Sequence, residues 1–221
     1  KKPPKYDPPS PPEVMYRFEP MLIPGSLSWR INQVHDNGLL AGYHSDDTGD
    51  HALVYDHDGV FNGGVSPAVD ASYDPVFLLE DVLASQLPTG WRLTWARGVN
   101  SYGDIVGTAR NASNIRRSFF VDTSTTAFVD PTAPASANPA DWTLHILPDL
   151  NSSSTGGAGV NDTGMVLADW QDPVSGASDH YLYNPFAPDN DPVKLGPGFR
   201  GGLKLNNQNQ VAGFLDTDSH N

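Results

Sequence analysis

The stretch VHDNGLLAGY, residues 34–43, recurs three more times along the chain: VNSYGDIVGT at 99–108, VNDTGMVLAD at 160–169 and LNNQNQVAGF at 205–214. Each copy starts with an apolar residue and continues with three polar or turn-forming residues. The next position holds Gly38, Gly103, Gly164 or Asn209. A short hairpin turn needs a positive φ there, which glycine adopts without steric cost and asparagine tolerates well. The motif therefore predicts a structural turn at these four residues.

The residues around the turn predict strands. An apolar pair follows it, and then a small residue: Gly42, Gly107, Ala168 or Gly213. A small residue that recurs inside a strand indicates close backbone approach. A third strand-like element follows three of the hairpins, at 51–55, 117–121 and 179–183, and a further one precedes the later hairpins, at 92–95, 142–147 and 193–195. Each unit is therefore predicted to contain about four short strands in meander order.

The spacing of the motifs predicts the architecture. Their starts lie 65, 61 and 45 residues apart, and four-stranded units at such periods are typical of a β-propeller. The predicted fold is an all-β, β-propeller-like array of about four small antiparallel meander sheets, with the last blade incomplete. The alternatives are a β-sandwich and an irregular β-solenoid. The units are predicted at about 13–60, 88–130, 141–186 and 191–221, with insertions at about 61–90 and 130–141.

Other segments of the chain differ from the repeats. Residues 1–12, KKPPKYDPPSPP, predict a proline-rich extended arm, because proline fixes φ and lacks an N–H. The first insertion predicts a short helix over 77–83, whereas the second predicts an exposed loop. The chain begins at Lys1 without an initiator methionine or an apolar signal region, which is expected of a mature or trimmed form.

Composition excludes several classes of function. The net charge is −13, from 26 acidic and 13 basic residues, and such a surface repels a phosphate backbone, so nucleic acid is not an expected partner. The absence of cysteine excludes disulfides, thiolate zinc sites and cysteine catalysis. No apolar run approaches the roughly 20 residues of a membrane-spanning helix.

The motifs resemble the HAF-type repeats of secreted bacterial proteins, which carry a pattern like Gly-Ile-Asn-Asp-x-Gly-x-Val-Val-Gly followed by His-Ala-Phe-Leu-Tyr. The matching stretches are GVNSYGDIVG at 98–107, GVNDTG at 159–164 and HALVY at 51–55. Departures include His35 for Asn, Asn209 for Gly, and Arg117 and Asp179 where the pattern has His. The resemblance covers roughly 13–221 outside the two insertions. It implies a propeller-like repeat protein at an extracellular or cell-surface location, and it brings no catalytic residues with it.

Catalytic patterns are missing from the sequence. Ser178, Asp179 and His180 are the residue types of a serine-hydrolase triad, but consecutive residues of a strand point to opposite faces. A nucleophile elbow, a phosphate-binding glycine loop and an HExxH helix are also missing. The sequence therefore assigns neither catalytic nor cofactor-binding residues.

Two kinds of ligand remain open. Calcium is favoured by clustered oxygen ligands, and weak candidates are Asp46, Asp47, Asp50, Asp56 and Asp58. The same residue types are also the ordinary residues of turns. Glycans are the other candidate, because tryptophans stack on sugars as well as packing between sheets; the chain has Trp29, Trp91, Trp95, Trp142 and Trp170.

The leading functional hypothesis is a non-enzymatic extracellular repeat module for structure, adhesion or assembly. Its expected partner is another copy of itself or another surface protein, with strands paired between neighbouring subunits. The alternative is a carbohydrate-binding or carbohydrate-active propeller, acting as a glycosidase or a lyase.

Overall fold

The computed structural model describes residues 26–63, 75–126, 129–149, 151–189, 191–196 and 199–215. The predicted proline-rich arm and the start of the first predicted unit lie outside these ranges. The same holds for the end of the fourth predicted unit.

Within the described residues, the strands form four antiparallel sheets whose strand order follows the chain. The first sheet contains β1 (Ser28–Val34), β2 (Leu39–Asp46), β3 (Gly49–Asp56) and β4 (Val76–Leu78). The second contains β5 (Trp91–Val99), β6 (Ile105–Asn111), β7 (Arg116–Asp122) and β8 (Thr143–Ile146). The third contains β9 (Ser154–Val160), β10 (Val166–Gln171), β11 (Ser178–Tyr183) and β12 (Val193–Lys194). The fourth contains β13 (Phe199–Leu205) and β14 (Val211–Leu215). The prediction of an all-β chain with small antiparallel sheets is confirmed.

The strands divide among the sheets differently from the predicted units. The strand predicted at 142–147 is β8, and it pairs with β7 through Phe119 and Ile146, so it closes the second sheet. The strand predicted at 193–195 is β12, and it pairs with β11 and closes the third sheet. The sequence of a short apolar strand is compatible with pairing to the strand before it or to the strand after it. Loop length and packing, rather than the alternation of apolar residues, decide between the two.

The helix predicted at 77–83 is shorter than expected. Helix α1 spans only Leu79–Val82. The residues before it, Val76–Leu78, form β4 and pair with β3, with Phe77 opposite Val54. Two 3₁₀ turns occupy Val60–Asn62 and Pro139–Asp141. Phe77 and Leu78, which the sequence pattern assigned to a helix, are therefore part of a strand.

The four repeat motifs form the same hairpin turn. The turn position has a positive φ in every copy: 82° at Gly38, 92° at Gly103, 72° at Gly164 and 60° at Asn209. One hydrogen bond closes the equivalent loop in each copy, as between the Asn161 N–H and the Met165 carbonyl at 3.1 Å. The asparagine in the fourth copy therefore takes the conformation that glycine takes in the other three.

The small residue after the turn lies against a bulge in the first strand of its sheet. The β1–β2 register shifts between Ile31 and Gln33, and the β5–β6 register shifts between Ala96 and Gly98. A Cβ on Gly42 would overlap the carbonyl oxygen of Arg30, and a Cβ on Gly107 would overlap that of Trp95. The recurring small residue thus permits the bulge.

We expect Gly107→Ala to lower the free energy of unfolding by about 1–3 kcal/mol, because the new methyl group would overlap both the Trp95 carbonyl and the Phe119 ring. Urea denaturation followed by tryptophan fluorescence measures the loss. The matched control is Gly159→Ala on β9, where a Cβ meets nothing within 4 Å. An equal loss for both variants would contradict the steric explanation.

The apolar core lies between consecutive sheets. One cluster joins the first and second sheets and includes Leu39, Val54, Leu93, Phe119 and Trp142. A second cluster joins the second and third sheets and includes Val106, Phe120, Val166 and Tyr181. The first strand of each later sheet contacts the sheet before it: β5 contacts β2 and β3, β9 contacts β6 and β7, and β13 contacts β9 and β11.

None of the helices described here is long and apolar enough to cross a bilayer.

Candidate functional site

The second residue of the repeat motif is asparagine in three of the four copies, and its side-chain oxygen caps its own turn. In Asn100 this oxygen accepts hydrogen bonds from the Tyr102 N–H at 3.1 Å and the Asp104 N–H at 2.9 Å. Asn161 and Asn206 make the equivalent pairs of bonds. One polar side chain thus satisfies two backbone donors in each turn.

The amide nitrogens of two of these residues connect one sheet to the next. Asn100 Nδ2 donates to the Asn161 carbonyl at 3.1 Å, and Asn161 Nδ2 donates to the Asn206 carbonyl at 2.7 Å. In the first motif, where His35 replaces the asparagine, Asn37 Nδ2 donates to the Ser101 carbonyl at 3.0 Å. We call these three inter-sheet bonds the turn relay.

A second series of bonds runs beside the turn relay through Asp162. Its carboxylate accepts from the Ser101 N–H at 2.8 Å and from Asn207 Nδ2 at 2.7 Å. Its own N–H donates to Asn207 Oδ1 at 3.0 Å. Burial pushes the pKa of Asp162 upward, but these hydrogen bonds outweigh burial, so the pKa lies below its ordinary value. The turns of the second, third and fourth sheets are therefore joined through side chains.

The turn of the second sheet also contains a buried carboxyl group. Asp104 is 2% exposed, and burial raises its pKa to about 7 even though Asn100 donates a hydrogen bond to it at 2.9 Å. The neighbouring carboxylate of Asp122 raises this pKa further. The other three motifs have Leu39, Met165 and Gln210 at this position, so the buried acid is specific to the second unit.

A cavity of about 380 Å³ lies between the second and third sheets, and we call it the intersheet cleft. Trp95 and Arg97 of β5 and Arg116 of β7 form one wall. The other wall is formed by residues near the ends of β9, β10 and β11, including Asp169 and His180. The third sheet lines the cleft with the strand ends that lie farthest from its own motif turn. Most of the cleft is therefore distant from the turn relay.

Charged and aromatic groups in the intersheet cleft hold one another in place. The Arg97 guanidinium carbon lies 4.8 Å from the centre of the Trp95 ring, and Arg116 Nε donates to Ser154 Oγ at 2.9 Å. On the opposite wall, His180 Nε2 and Asp169 Oδ1 are 3.2 Å apart. The Asp169 side chain is 59% exposed. The cleft thus presents cationic, acidic and aromatic groups together.

The tryptophans divide between core packing and cavities. Trp142 is 1% exposed in the first core cluster and donates from its indole nitrogen to the Ser136 carbonyl at 3.1 Å. Trp95 and Trp170 line the intersheet cleft, and Trp91 lines a second cavity between the first and second sheets. Trp29 is 48% exposed on β1. The core-packing use is confirmed for Trp142, whereas sugar stacking by the other tryptophans stays a prediction.

The calcium candidates do not converge in the described residues, where no three His, Asp or Glu side chains form a metal-binding group. Asp56 accepts hydrogen bonds from the N–H groups of Gly59 and Phe61 and so caps the first 3₁₀ turn. Asp50 accepts from the Trp95 indole at 2.9 Å. Asp46 accepts from the N–H groups of Thr48 and Gly49 between β2 and β3, where Asp47 also lies, and Asp58 Oδ1 is 2.6 Å from His57 Nδ1. The contacts of Asp46 and Asp56 thus fit the turn interpretation.

His51 connects the β2–β3 hairpin to its surroundings. Its Nδ1 lies 2.8 Å from Glu80 Oε2, and its Nε2 lies 3.1 Å from Asp46 Oδ1. The His44 ring stacks on it with centroids 4.8 Å apart. Burial, followed by the His51 charge, lowers the pKa of His44. These contacts tie the hairpin to α1 and give His44 and His51 a structural role.

The triad-like residues Ser178, Asp179 and His180 lie on β11, as the strand pattern predicted. His180 pairs with Asp169 of the adjacent strand, while its own N–H donates to Asp179 Oδ1 at 2.7 Å. The three side chains therefore do not form a relay in sequence order.

Comparison of the chain with protein-family models, with curated proteins and with solved structures finds no match. The resemblance of the motifs to HAF-type repeats accordingly stays a prediction.

Proposed function

We propose that the chain is a non-enzymatic extracellular repeat module for structure, adhesion or assembly, in which the sheets act as blades of a propeller-like array. Two features support the array. The first strand of each later sheet contacts the preceding sheet, and the turn relay joins successive sheets at one end. Each sheet is too small to bury both of its faces alone, so stacking supplies the core.

The observation that carries the assembly part is the exposure of Val34. The same motif position is 0% exposed at Val99 and 7% exposed at Val160, where a preceding sheet covers it, but 68% exposed at Val34. Leu27 and Trp29, at the opposite end of this edge strand, are also exposed, at 72% and 48%. The first sheet thus presents a face that has the apolar pattern of an inter-sheet contact and lies open to solvent. Apolar side chains exposed where the equivalent positions of the other sheets are buried favour an interaction site.

The fourth sheet provides a complementary face. Phe214 is 74% exposed, and the neighbouring Ala212 on the same side of β14 is also exposed. Ala212 occupies the motif position of Val106, which packs against the third sheet in the second core cluster. The surface that covers the exposed face of the first sheet is therefore the fourth sheet of a second copy of this chain. Such a head-to-tail contact is heterologous and builds either a ring or a filament.

We expect Val34→Asp to weaken self-association by roughly tenfold or more, because the contact would bury an unpaired carboxylate. Sedimentation velocity from micromolar to several hundred micromolar protein measures the effect. The matched control is Val174→Asp, since Val174 is 95% exposed in a loop outside the proposed contact.

The control variant should associate like the wild type. A wild-type chain that keeps the 23.8 kDa mass of one copy at every concentration would show that the self-assembly proposal is wrong. Equal weakening by Val34→Asp and Val174→Asp would place the contact elsewhere.

The extracellular or cell-surface location is supported by the resemblance of the motifs to secreted repeats. Treating intact host cells with a protease and probing with an antibody against the chain tests it. Degradation without cell lysis supports the surface location, and full protection until lysis contradicts it.

A further inference from the structure

We propose that the intersheet cleft binds an anionic saccharide, a sugar that carries a carboxylate or a sulfate group. This inference is independent of self-assembly, because the cleft lies between the second and third sheets of a single chain. It rests on the charge, the aromatic groups and the size of the cleft.

The charge of the cleft, which comes from two arginines, favours an anionic ligand. Within the described residues, neither Arg97 nor Arg116 has an ion-pair partner, although the whole chain has 26 acidic and only 13 basic residues. Two nearby arginines are paired: Arg92 lies 3.5 Å from a Glu80 oxygen, and Arg117 lies 3.0 Å from an Asp149 oxygen. In so acidic a chain, two guanidinium groups beside one cavity favour an anionic ligand. The planar donors of arginine match the oxygens of a carboxylate or a sulfate.

The opposite wall supplies groups that suit sugar hydroxyls. The Asp169 carboxylate is 59% exposed and accepts hydrogen bonds, while the Gln171 amide, which donates to the Gly176 carbonyl and accepts from Ser153 Oγ, both at 3.3 Å, keeps one further N–H. Trp95 also lines the cleft: its indole nitrogen donates to Asp50 at 2.9 Å, and Arg97 and Arg110 lie 4.8 and 5.5 Å from the centre of its ring, so this aromatic group positions a cation beside the cleft. A small inorganic anion has no use for the hydrogen-bonding groups of the opposite wall, whereas a saccharide has hydroxyls for them.

The size of the cavity and a comparison with its neighbour complete the argument. A volume of about 380 Å³ lies within the range of roughly 300–1,000 Å³ that is typical of small-ligand sites. The cavity between the first and second sheets has a similar volume of about 390 Å³. Its Arg92, however, already donates to the Thr48 carbonyl at 2.6 Å and pairs with Glu80. Arg110 also lines that cavity, and its guanidinium carbon lies 5.5 Å from the centre of the Trp95 ring. In the intersheet cleft, by contrast, Arg97 stacks on Trp95 and Arg116 uses one nitrogen to bond Ser154, so the remaining guanidinium donors face no carboxylate partner within the described residues.

Isothermal titration calorimetry of the full chain tests the proposal with four probes: trigalacturonate, a sulfated trisaccharide, an uncharged trisaccharide and sodium sulfate. We expect binding of at least one acidic saccharide that weakens as salt is added. Arg97→Gln and Arg116→Gln should each reduce the affinity by roughly tenfold, since each removes a charge-assisted hydrogen bond. Both arginines are exposed, so the variants should keep their fold, which near-UV circular dichroism verifies.

The matched control is Lys204→Gln, which removes one positive charge on β13, outside the cleft. It should leave the affinity unchanged. The first two probes distinguish a carboxylate ligand from a sulfate ligand. Binding of sodium sulfate as tight as that of the acidic saccharides would overturn the proposal, and so would equal binding of the uncharged sugar. Retention of affinity by the Arg97→Gln/Arg116→Gln double variant, or the absence of binding to every probe, would overturn it as well.

Discussion

Asp104→Asn is expected to stabilise the protein at pH 8 and to remove a fall in stability between pH 4 and pH 7. The carboxyl of Asp104 is 2% exposed, and burial raises its pKa from 3.8 to about 7. Each pKa unit corresponds to about 1.4 kcal/mol, so ionising this group inside the folded protein costs on the order of 4 kcal/mol. An asparagine retains the oxygen that accepts from Asn100 Nδ2, gives up only the long 3.4 Å bond from the Thr123 N–H, and carries no charge.

The direction of the pH dependence follows from the raised pKa. Below about pH 4 the group is protonated in both the folded and the unfolded state, and it imposes no penalty. Between pH 4 and pH 7 the unfolded chain releases the proton while the folded chain retains it, so stability falls as the pH rises. Above pH 7 both states are ionised, and the penalty stays constant. The pKa values of Asp162 and Asp172 are lowered in the folded protein, so their ionisation makes stability rise with pH. This contribution is the same in the wild type and in the variant.

Urea denaturation of the wild type and of Asp104→Asn at several pH values from 4 to 8 measures the effect. The difference in unfolding free energy between the two proteins isolates the contribution of Asp104. Asp36→Asn is the matched control, because Asp36 is an exposed acid in the equivalent turn of the first sheet. The control should show little difference at any pH. A variant that is less stable than the wild type at pH 8, or an unchanged difference across the pH range, would contradict the role of burial.

The local part of the fold could be predicted because it depends on adjacent residues. The positive φ at Gly103 and Asn209 follows from turn chemistry, and the small residue at Gly107 follows from the pattern after the turn. The division of strands among sheets was not predictable in the same way. Whether 142–147 joins the second or the third sheet depends on packing, and the sequence pattern of β8 is compatible with both.

The candidate sites depend on residues that are far apart in the sequence. The bond from Asn161 to the Asn206 carbonyl spans 45 residues, and the intersheet cleft brings Arg97 to the same cavity as Asp169. The recurrence of asparagine at 100, 161 and 206 was the available signal for the turn relay. It indicated a shared role, but the inter-sheet acceptor became identifiable only once the sheets were packed. Arg97 carried no repeat signal, because the other motifs do not have an arginine at the equivalent position.

Asn161→Ala is expected to lower the free energy of unfolding by about 4 kcal/mol. Asn161 is 3% exposed, and its side-chain oxygen accepts from the N–H groups of Thr163 and Met165. Its Nδ2 donates to the Asn206 carbonyl and to Asn209 Oδ1, both at 2.7 Å. Alanine removes these four part-buried hydrogen bonds, each of which contributes about 1 kcal/mol net. Urea denaturation followed by circular dichroism measures the total loss.

Asn206→Ala is the matched control that separates the local turn from the inter-sheet bond. Asn206 makes the same two local bonds, to the N–H groups of Gln208 and Gln210, but it is exposed and its Nδ2 donates to the Gln210 side chain. Water replaces these bonds in the variant, so its loss should be about 1 kcal/mol. Amide hydrogen exchange at 199–215 should accelerate more in Asn161→Ala than in Asn206→Ala if the turn relay holds the fourth sheet to the third. Equal losses and equal exchange would mean that the asparagine only caps its own turn, and the coupling between sheets would then depend on apolar packing alone.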